Sequence, residues 1–310
     1  MTLDSRLATR VPRPASHEGQ TFHGTSLLVR LVNFVKLPHT LFALPFALLG
    51  VLAASRTVPV TWRMVALVVV AFSSARWVAM GFNRIADRHH DARNPRTARR
   101  ELPSGTLTLR QAWGSVVMAG LVFIVSAGLL NPLCALLAPV ALAWVMSYSL
   151  SKRFTWWPHF WLGMSLAIAP VGGYLAVTGA WSRPAWLLLA ITAAVATWVA
   201  GFDIFYALPD EAFDRTEGLR SAVVRLGERR AILLAKLLHG FTIPLLALFG
   251  LGAGFGLWYY AGVLVAAAIL AYEHRLVRPG DLTRLDAAFF TMNGVMSVTV
   301  FLFALVDRIA

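Results

Sequence analysis

Long apolar stretches recur along this chain of 310 residues, and short polar connectors separate each stretch from the next. A helix needs about 20 apolar residues to cross the hydrocarbon of a bilayer. The chain is 58% hydrophobic and only 14% charged, which leaves too little polar surface for a soluble globule of this size. The pattern therefore predicts an all-α integral membrane protein whose helices form one bundle.

Nine transmembrane helices are predicted after a polar segment, residues 1–26, which lacks the apolar core of a secretory signal. We expect that segment to be a disordered cytoplasmic tail and residues 27–310 to form the transmembrane domain. The spans are placed at about 27–54, 62–84, 108–129, 132–150, 158–178, 184–206, 231–250, 254–273 and 287–307. Spans one to four and five to eight are interpreted as two pseudo-equivalent halves, with the ninth outside the repeat.

The positions of Lys and Arg predict the orientation of the bundle. Most of the 28 lie in the tail and in alternate connectors, above all the long connectors after the second and sixth spans, which places both on the cytoplasmic side. Because the net charge of +13 is confined to connectors, it indicates anionic lipid or an anionic substrate and no nucleic-acid partner. A single cysteine, Cys134, excludes a disulfide framework and a thiolate cluster within the chain. The sequence leaves the oligomeric state open.

An acidic motif stands at the end of the second predicted span. Asn83, Asp87 and Asp91 recur in steps of four, which places their oxygen atoms on one face of a helix. A second motif, Asp203-x6-Asp210-x3-Asp214, ends the sixth span.

The two motifs hold six of the 15 acidic residues of the chain, counting Glu211. Pro209 leaves open whether the helix of the second motif continues to Asp214. Clustered carboxylates repel one another unless a cation neutralises them, and hard oxygen ligands without thiols favour Mg²⁺. The alternative is that these acids are solvated charges paired with nearby arginines.

Three segments together have a spacing typical of one family: Asn83-x3-Asp87-x3-Asp91 followed by Arg96-Thr97-x-Arg99-Arg100-x-Leu102-Pro103-Ser104-Gly105, then Tyr148-x3-Lys152-Arg153, then Asp203-x2-Tyr206-x3-Asp210-x3-Asp214-x3-Gly218-x-Arg220-Ser221. From about residue 33 onward the chain strongly resembles the UbiA superfamily of membrane aromatic prenyltransferases. It departs from the family pattern at Arg84, where many members have a second acid.

The resemblance implies nine helices around a central cavity that opens sideways to the bilayer and is capped by cytoplasmic loops. It also implies two Mg²⁺ ions that bridge the motifs and the diphosphate of a polyprenyl substrate. Asn83 and Asp87 would hold one ion and Asp210 and Asp214 the other. Asp91 would contact an ion through a water molecule or would support one of the residues that bind it.

Basic residues are expected around the departing diphosphate because it carries more negative charge than two divalent ions neutralise. Lys152 and Arg153 are the first candidates, with Arg99, Arg100 and Arg220 behind them. For the last three, anchoring at the cytoplasmic face is an equal alternative.

Three aromatic residues lie near the motifs in sequence. Tyr148, Phe205 and Tyr206 are expected to face an allylic cation with their rings. Asp203, which lies deeper than the metal ligands, is expected to accept the phenolic hydrogen bond of the acceptor and to raise the nucleophilicity of its ring.

Two cations lie within predicted spans, where an unpaired charge is costly. We expect Arg76 to point into the cavity and bind a carboxylate of the acceptor, and Lys36 to be a weaker candidate for the same role. Both could instead extend toward the cytoplasmic face. For His39, hydrogen bonding between helices is favoured over a contact with the acceptor.

The predicted function is Mg²⁺-dependent transfer of a polyprenyl group to a hydroxylated aromatic acid such as 4-hydroxybenzoate, in quinone synthesis at a bacterial-type inner membrane. The stretch around Lys36 also resembles a branch that would serve menaquinone through a dihydroxynaphthoate. A secondary transporter is the alternative from another class, but its ionisable residues would lie near the membrane midplane and not at one face. A structural or assembly protein would leave the paired motifs unexplained.

Overall fold

The computed structural model describes residues 22–24, 26–36, 43–285 and 291–310. Within those ranges the chain forms thirteen α-helices, one turn of 3-10 helix and no β-strand. The all-α prediction is therefore confirmed. Most of the predicted tail, residues 1–26, lies outside the described residues, so its disorder stays a prediction.

The helices follow one another with short connections. They are α1 Leu27–Phe34, α2 Leu44–Ala54, α3 Trp62–Ala86, α4 Arg88–Arg93, α5 Leu109–Leu130, α6 Pro132–Ser151, α7 Pro158–Thr178, α8 Trp186–Ala207, α9 Glu211–Thr216, α10 Ala222–Leu226, α11 Glu228–Ala253, α12 Leu257–Leu276 and α13 Asn293–Ile309. The 3-10 turn Leu208–Asp210 joins α8 to α9.

Six segments of the described chain are long and apolar enough to cross a membrane. They are α3, α5, α6, α7, α11 and the segment Trp186–Thr216 that contains α8. The helices α12 and α13 have 20 and 17 residues, and α2 is a shorter apolar helix. The helices lie where the spans are predicted, but the count of nine spans and the repeat of two halves stay predictions.

The first predicted span, 27–54, is not described as one continuous helix. It contains α1 and α2, and residues 37–42 between them, including His39, lie outside the described part of the chain. The prediction that Lys36 lies within a helix is wrong, because α1 ends at Phe34 and Lys36 has a φ of 47°. That left-handed conformation cannot continue a right-handed α-helix.

Helix α8 lies at the centre of the bundle, packed between α7 and α11. Its residues Ile191, Trp198 and Phe205 are fully buried. Helix α3 packs mainly against α5. The two helices that end in the acidic motifs therefore have their positions fixed by extensive packing before either motif begins.

Glycines allow α7 to approach its neighbours closely. A Cβ atom on Gly173 of α7 would overlap the Ala47 carbonyl oxygen of α2, and one on Gly50 would overlap the Pro170 carbonyl oxygen of α7. On the other side of α7, Gly163 faces the Ala196 backbone of α8 in the same way. Backbones approach this closely in membrane bundles where side chains are absent. Helix α7 is thus held between α2 and α8.

We expect Gly173→Ala to lower the thermal stability of the purified protein, because overpacking at a close contact costs roughly 1–3 kcal/mol. The neighbouring Gly172→Ala is the matched control, since a Cβ atom there would meet nothing within 4 Å. Thermal unfolding in detergent, followed by intrinsic fluorescence, measures both variants. Equal midpoints for the two variants would contradict the close approach of α2 and α7.

Candidate active site

A polar cavity lies where α3, α6 and α8 end and where α7 begins. Eleven of the residues predicted for the site line it: Asn83, Asp87, Asp91, Arg100, Tyr148, Lys152, Arg153, Asp203, Tyr206, Asp210 and Asp214. The fold therefore brings the two acidic motifs and the segment between them in sequence to one place.

The first motif forms a continuous polar face, as predicted. Asp87 ends α3 and starts α4, with its N–H donating to the Asn83 carbonyl oxygen at 2.9 Å. The Asn83 amide donates to Asp87 Oδ2 at 3.0 Å. Burial, and then the neighbouring Asp91 carboxylate, raise the pKa of Asp87 to about 6. A cation close to Asp87 would therefore stabilise its ionised form.

In the second motif the chain stays helical past Pro209, which the sequence left open. Pro209 lies in the 3-10 turn after α8, and α9 begins immediately after Asp210. The Asp210 and Asp214 side chains are both buried, one helical turn apart. Because proline is tolerated at the start of a helical segment, it changes the helix type without breaking the path of the chain.

Arg96 connects the segment after the first motif to the second motif. Its Nε donates to Asp210 Oδ1 at 3.0 Å and its Nη2 pairs with Asp210 Oδ2. Its Nη1 donates to the Tyr206 hydroxyl at 3.0 Å, and the guanidinium lies 5.0 Å from the centre of that ring. Asn94 also donates to Asp210 Oδ1, at 3.3 Å. The Arg96 guanidinium therefore holds the connector after α4 against the end of α8, although Arg96 is not among the site residues predicted from the sequence.

Three further cations pair with the acids of the cavity. Lys152 Nζ lies 2.9 Å from Asp214 Oδ2, and Arg100 Nη1 lies 2.9 Å from Asp91 Oδ1. Burial acts to lower the pKa of Lys152, but Asp214 and then other carboxylates raise it overall, so the amine stays protonated. The exposed Arg153 donates to the Ala86 carbonyl oxygen at 2.9 Å and lies 3.8 Å from Asp87 Oδ1.

His159 is a cavity residue that the sequence analysis missed. Its Nδ1 lies 2.7 Å from Asp203 Oδ2, and its side chain is fully buried. No motif contains it, and the signal that could have found it is its place directly after Pro158 at the start of an apolar helix. An imidazole there must have a polar partner, because an unpaired polar side chain in a membrane bundle is costly.

Four predicted substrate contacts do not line the cavity: Lys36, Arg76, Arg99 and Arg220. Arg99 is exposed. Arg220 is exposed and lies 5.6 Å from the Trp156 ring centre, donating to the Phe154 carbonyl oxygen. Arg76 is half-buried in α3 and makes no hydrogen bond or ion pair with another described residue.

Two other side chains point away from the cavity. Phe205, expected to face an allylic cation, is fully buried and packs against the rings of His239 and His274, so that expectation is wrong. The reason is that Phe205 and Tyr206 are adjacent in a helix and face different sides of α8. Arg84, which stands where many family members have a second acid, pairs with Glu101 at 2.7 Å in the protein interior.

The donors of the cavity fit a hard cation that completes its coordination with substrate and water. Among the described residues, no three His, Cys, Asp or Glu side chains converge into a closed metal cage. Asp91 Oδ2 is buried and has no hydrogen-bond partner in the described chain. Carboxylate oxygens in an open arrangement suit Mg²⁺, which keeps several waters and binds phosphates together with one or two carboxylates.

The fold and the cavity define the class of this molecule: a helical membrane protein with an enzyme-like cavity of paired acids and bases at one end of the bundle. Residues 43–295 match the UbiA prenyltransferase family, and the chain therefore belongs to that family. The predicted prenyltransferase class is confirmed, and the transporter alternative is not retained.

Similar proteins agree with this assignment. The chain is 33% identical over 228 residues to a 4-hydroxybenzoate octaprenyltransferase of Aromatoleum aromaticum, covering 74% of this chain and 76% of that one. A UbiA homolog from Aeropyrum pernix K1 superposes with a TM-score of 0.80 at 31% identity, over 87% of this chain and 98% of that one. A UbiA homolog from Archaeoglobus fulgidus bound to GPP and Mg²⁺ superposes with a TM-score of 0.64 at 18% identity, over 91% and 100%.

We expect Arg96→Gln to lower the midpoint of thermal unfolding by roughly 5 °C or more and to reduce prenyl transfer, because it removes the charged partner of the buried Asp210 and leaves, among the described residues, only the hydrogen bond from Asn94. The exposed Arg110→Gln, in the first turn of α5, is the matched control, since Arg110 does not line the cavity. Calorimetry and a transfer assay on both purified variants test this. If Arg96→Gln unfolds at the wild-type temperature, Arg96 does not hold the connector after α4 against the second motif.

Proposed function

We propose that this protein transfers a polyprenyl group from its diphosphate to a hydroxylated aromatic acid of the 4-hydroxybenzoate type, in quinone biosynthesis. The observation that carries the proposal is the meeting of two acidic motifs, from the ends of α3 and α8, in one buried cavity lined by Lys152 and Arg100. Such a cavity is suited to a substrate that brings its own negative charge together with divalent cations.

The metal role is assigned to five residues. Asn83 and Asp87 would hold one Mg²⁺, Asp210 and Asp214 would hold the second, and Asp91 would support the first pair. When bound, the ions supply positive charge that stabilises the diphosphate as a leaving group. The burial of Asp210, Asp214 and Asp91 supports this assignment, because buried carboxylates gain most from a nearby cation.

Lys152 and Arg153 are assigned to the departing diphosphate. Lys152 is a protonated amine at the mouth of the cavity, and its pairing with Asp214 keeps the charge in place without a bound substrate. Arg153 is more exposed and can move toward the diphosphate at little cost. Arg100 lines the cavity and adds a third positive charge. Arg99 and Arg220 stand farther back, and we assign them to the approach of the anionic substrate.

The other part of the cavity is assigned to the carbon chemistry. Tyr148 and Tyr206 line the wall and offer ring faces to an allylic cation. Asp203, four residues before Ala207 at the end of α8, is placed to accept the hydrogen bond of a phenol. Water would capture the cation, so the connectors after α4 and α9 must close over the cavity during the reaction.

Arg76 is assigned to the carboxylate of the acceptor. It precedes Asn83 by seven residues, which is two helical turns, so it lies on the same face of α3 and about 10 Å deeper in the membrane. A planar guanidinium binds a carboxylate through two hydrogen bonds. Lys36, beyond the end of α1, is the second candidate. The octaprenyltransferase relative is named for 4-hydroxybenzoate, which makes that acid the first choice and a dihydroxynaphthoate the alternative.

The proposed location is a bacterial-type inner membrane with the cavity on its cytoplasmic side. The support is the concentration of Lys and Arg in the connectors that surround the cavity. An oligomeric state is not assigned.

We expect Asp87→Ala and Asp210→Ala each to reduce Mg²⁺-dependent transfer by at least about 100-fold, because each removes a charged group that stabilises the transition state. Both proteins should insert in membranes and lose Mg²⁺-dependent binding of geranyl diphosphate. Glu211→Gln is the matched control, since Glu211 pairs with Arg215 and does not line the cavity. Substantial transfer by either alanine variant would contradict the metal assignment, and loss of folding would favour a structural role.

We expect wild-type protein with geranyl diphosphate to prenylate 4-hydroxybenzoate in preference to 1,4-dihydroxy-6-naphthoate, with product identified by mass. Arg76→Lys should raise the KM for the acceptor by about tenfold or more, with little effect on the KM for the diphosphate, because the two-pronged hydrogen bond is lost. Arg63→Lys at the exposed start of α3 is the control. A change in the diphosphate KM alone would reassign Arg76 to the first acidic motif.

A further inference from the structure

The buried pair of His159 and Asp203 has an arrangement that the proposed function does not yet use. His159 lies in the first turn of α7 and Asp203 near the end of α8. Both line the cavity, and their side chains meet through Nδ1 and Oδ2 at 2.7 Å. The relative exposure of the two residues is 0% and 8%. The pair is therefore shielded from water and adjacent to the reaction space.

The hydrogen atoms of this pair follow from its geometry. A carboxylate can only accept a hydrogen bond, so His159 Nδ1 must carry the hydrogen that Asp203 accepts. A neutral imidazole then has its free lone pair on Nε2. That atom is buried and has no hydrogen-bond partner in the described chain. Buried polar atoms ordinarily have a hydrogen-bond partner, so the absence of one among the described residues suits Nε2 to a contact with a bound substrate.

We propose that His159 Nε2 accepts the proton that the aromatic ring of the acceptor loses during prenyl transfer, an inference that rests on the proposed function. The carbon–oxygen bond of the prenyl diphosphate breaks, and its electron pair leaves with the diphosphate. A ring carbon next to the phenolic carbon bonds to the prenyl carbon. The electron pair of its carbon–hydrogen bond returns to the ring while the proton moves to Nε2.

Asp203 stabilises the product of that step. The imidazolium formed at His159 carries a positive charge in a dry cavity, and the carboxylate at 2.7 Å offsets it. Transfer of the proton from His159 to an oxygen of the diphosphate then restores the neutral imidazole. The carboxylate oxygen of Asp203 that does not contact His159 stays available to the hydroxyl of the acceptor. The pair thus acts on the hydroxyl and on the neighbouring ring carbon of the same phenol.

The neighbouring groups are less suited to this role. Lys152 is protonated and donates a hydrogen bond to Asp214, so it has no lone pair to accept a proton. Arg96 and Arg100 are guanidinium donors with no acceptor atom. His90 also lines the cavity, but its side chain is 25% exposed, so it is not shielded from water as His159 is. The remaining carboxylates, Asp87, Asp91, Asp210 and Asp214, are paired with cations.

Two substitutions separate proton transfer from support of Asp203. His159→Asn places an amide N–H near the position of Nδ1, so the hydrogen bond to Asp203 can form, but it removes the basic nitrogen. His159→Gln places an amide oxygen near the position of Nε2, where it can accept a hydrogen bond but not a proton. His274→Asn is the matched control, because His274 is a partly buried histidine of α12 that does not line the cavity.

The experiment uses purified full-length protein, geranyl diphosphate and Mg²⁺, with 4-hydroxybenzoate in ordinary and ring-deuterated forms. We expect His159→Asn and His159→Gln to lower kcat by about 100-fold, with the KM for geranyl diphosphate within about twofold of wild type. Both should show a primary isotope effect from the ring deuterium that wild type and His274→Asn lack, because loss of the ring proton becomes the slow step. A purely structural role cannot create that isotope effect.

The outcomes are distinguishable. If either variant has wild-type kcat, or if both are slow without an isotope effect, His159 is not the proton acceptor. If His159→Asn does not fold, as judged by thermal unfolding, His159→Gln decides the question, and failure of both to fold overturns the assignment in favour of a structural one. If wild type prenylates neither 4-hydroxybenzoate nor the naphthoate, the proposed function itself fails, and this assignment with it.

Discussion

The two-pronged contact of Arg96 with Asp210 holds together two parts of the chain that are far apart in sequence. A charged hydrogen bond of this kind is strong in a partly buried setting, and breaking it leaves a buried carboxylate without its charged partner. The contact fixes the connector after α4 against the end of α8. The facing arrangement of the two acidic motifs, and with it the shape of the cavity, depends on that fixation.

Close helix packing is what allows such charges to be placed accurately. Gly173 and Gly163 bring α7 into backbone contact with α2 and α8, so the start of α7 cannot shift along its neighbours. This packing positions His159, in the first turn of α7, within hydrogen-bond distance of Asp203. The 3-10 turn at Pro209 positions the second acidic motif. It continues the helical path from α8 into α9, and Asp210 and Asp214 are buried there.

The cavity has two chemically different parts that suit the two halves of a prenyl transfer. Paired acids and cations around Asp87, Asp214 and Lys152 form the part suited to a diphosphate and its metal ions. Tyr148 and the pair of His159 and Asp203 form the other part, which offers a ring face to a carbocation and hydrogen-bonding atoms to an aromatic acceptor. Keeping the two parts adjacent allows the leaving group to be stabilised while water is excluded from the new bond.

The sequence by itself determined the membrane location, the helical fold and the acidic motifs, because apolar length and a spacing of four residues are local properties of a helix. It did not determine which way Phe205 faces, where α1 ends before Lys36, or which partner Arg84 takes. Those outcomes depend on neighbours that lie far away in the chain. The tertiary structure alone decided that Arg96 binds Asp210 and that His159 meets Asp203, because a hydrogen bond between side chains 114 or 44 residues apart leaves no periodic trace in the sequence.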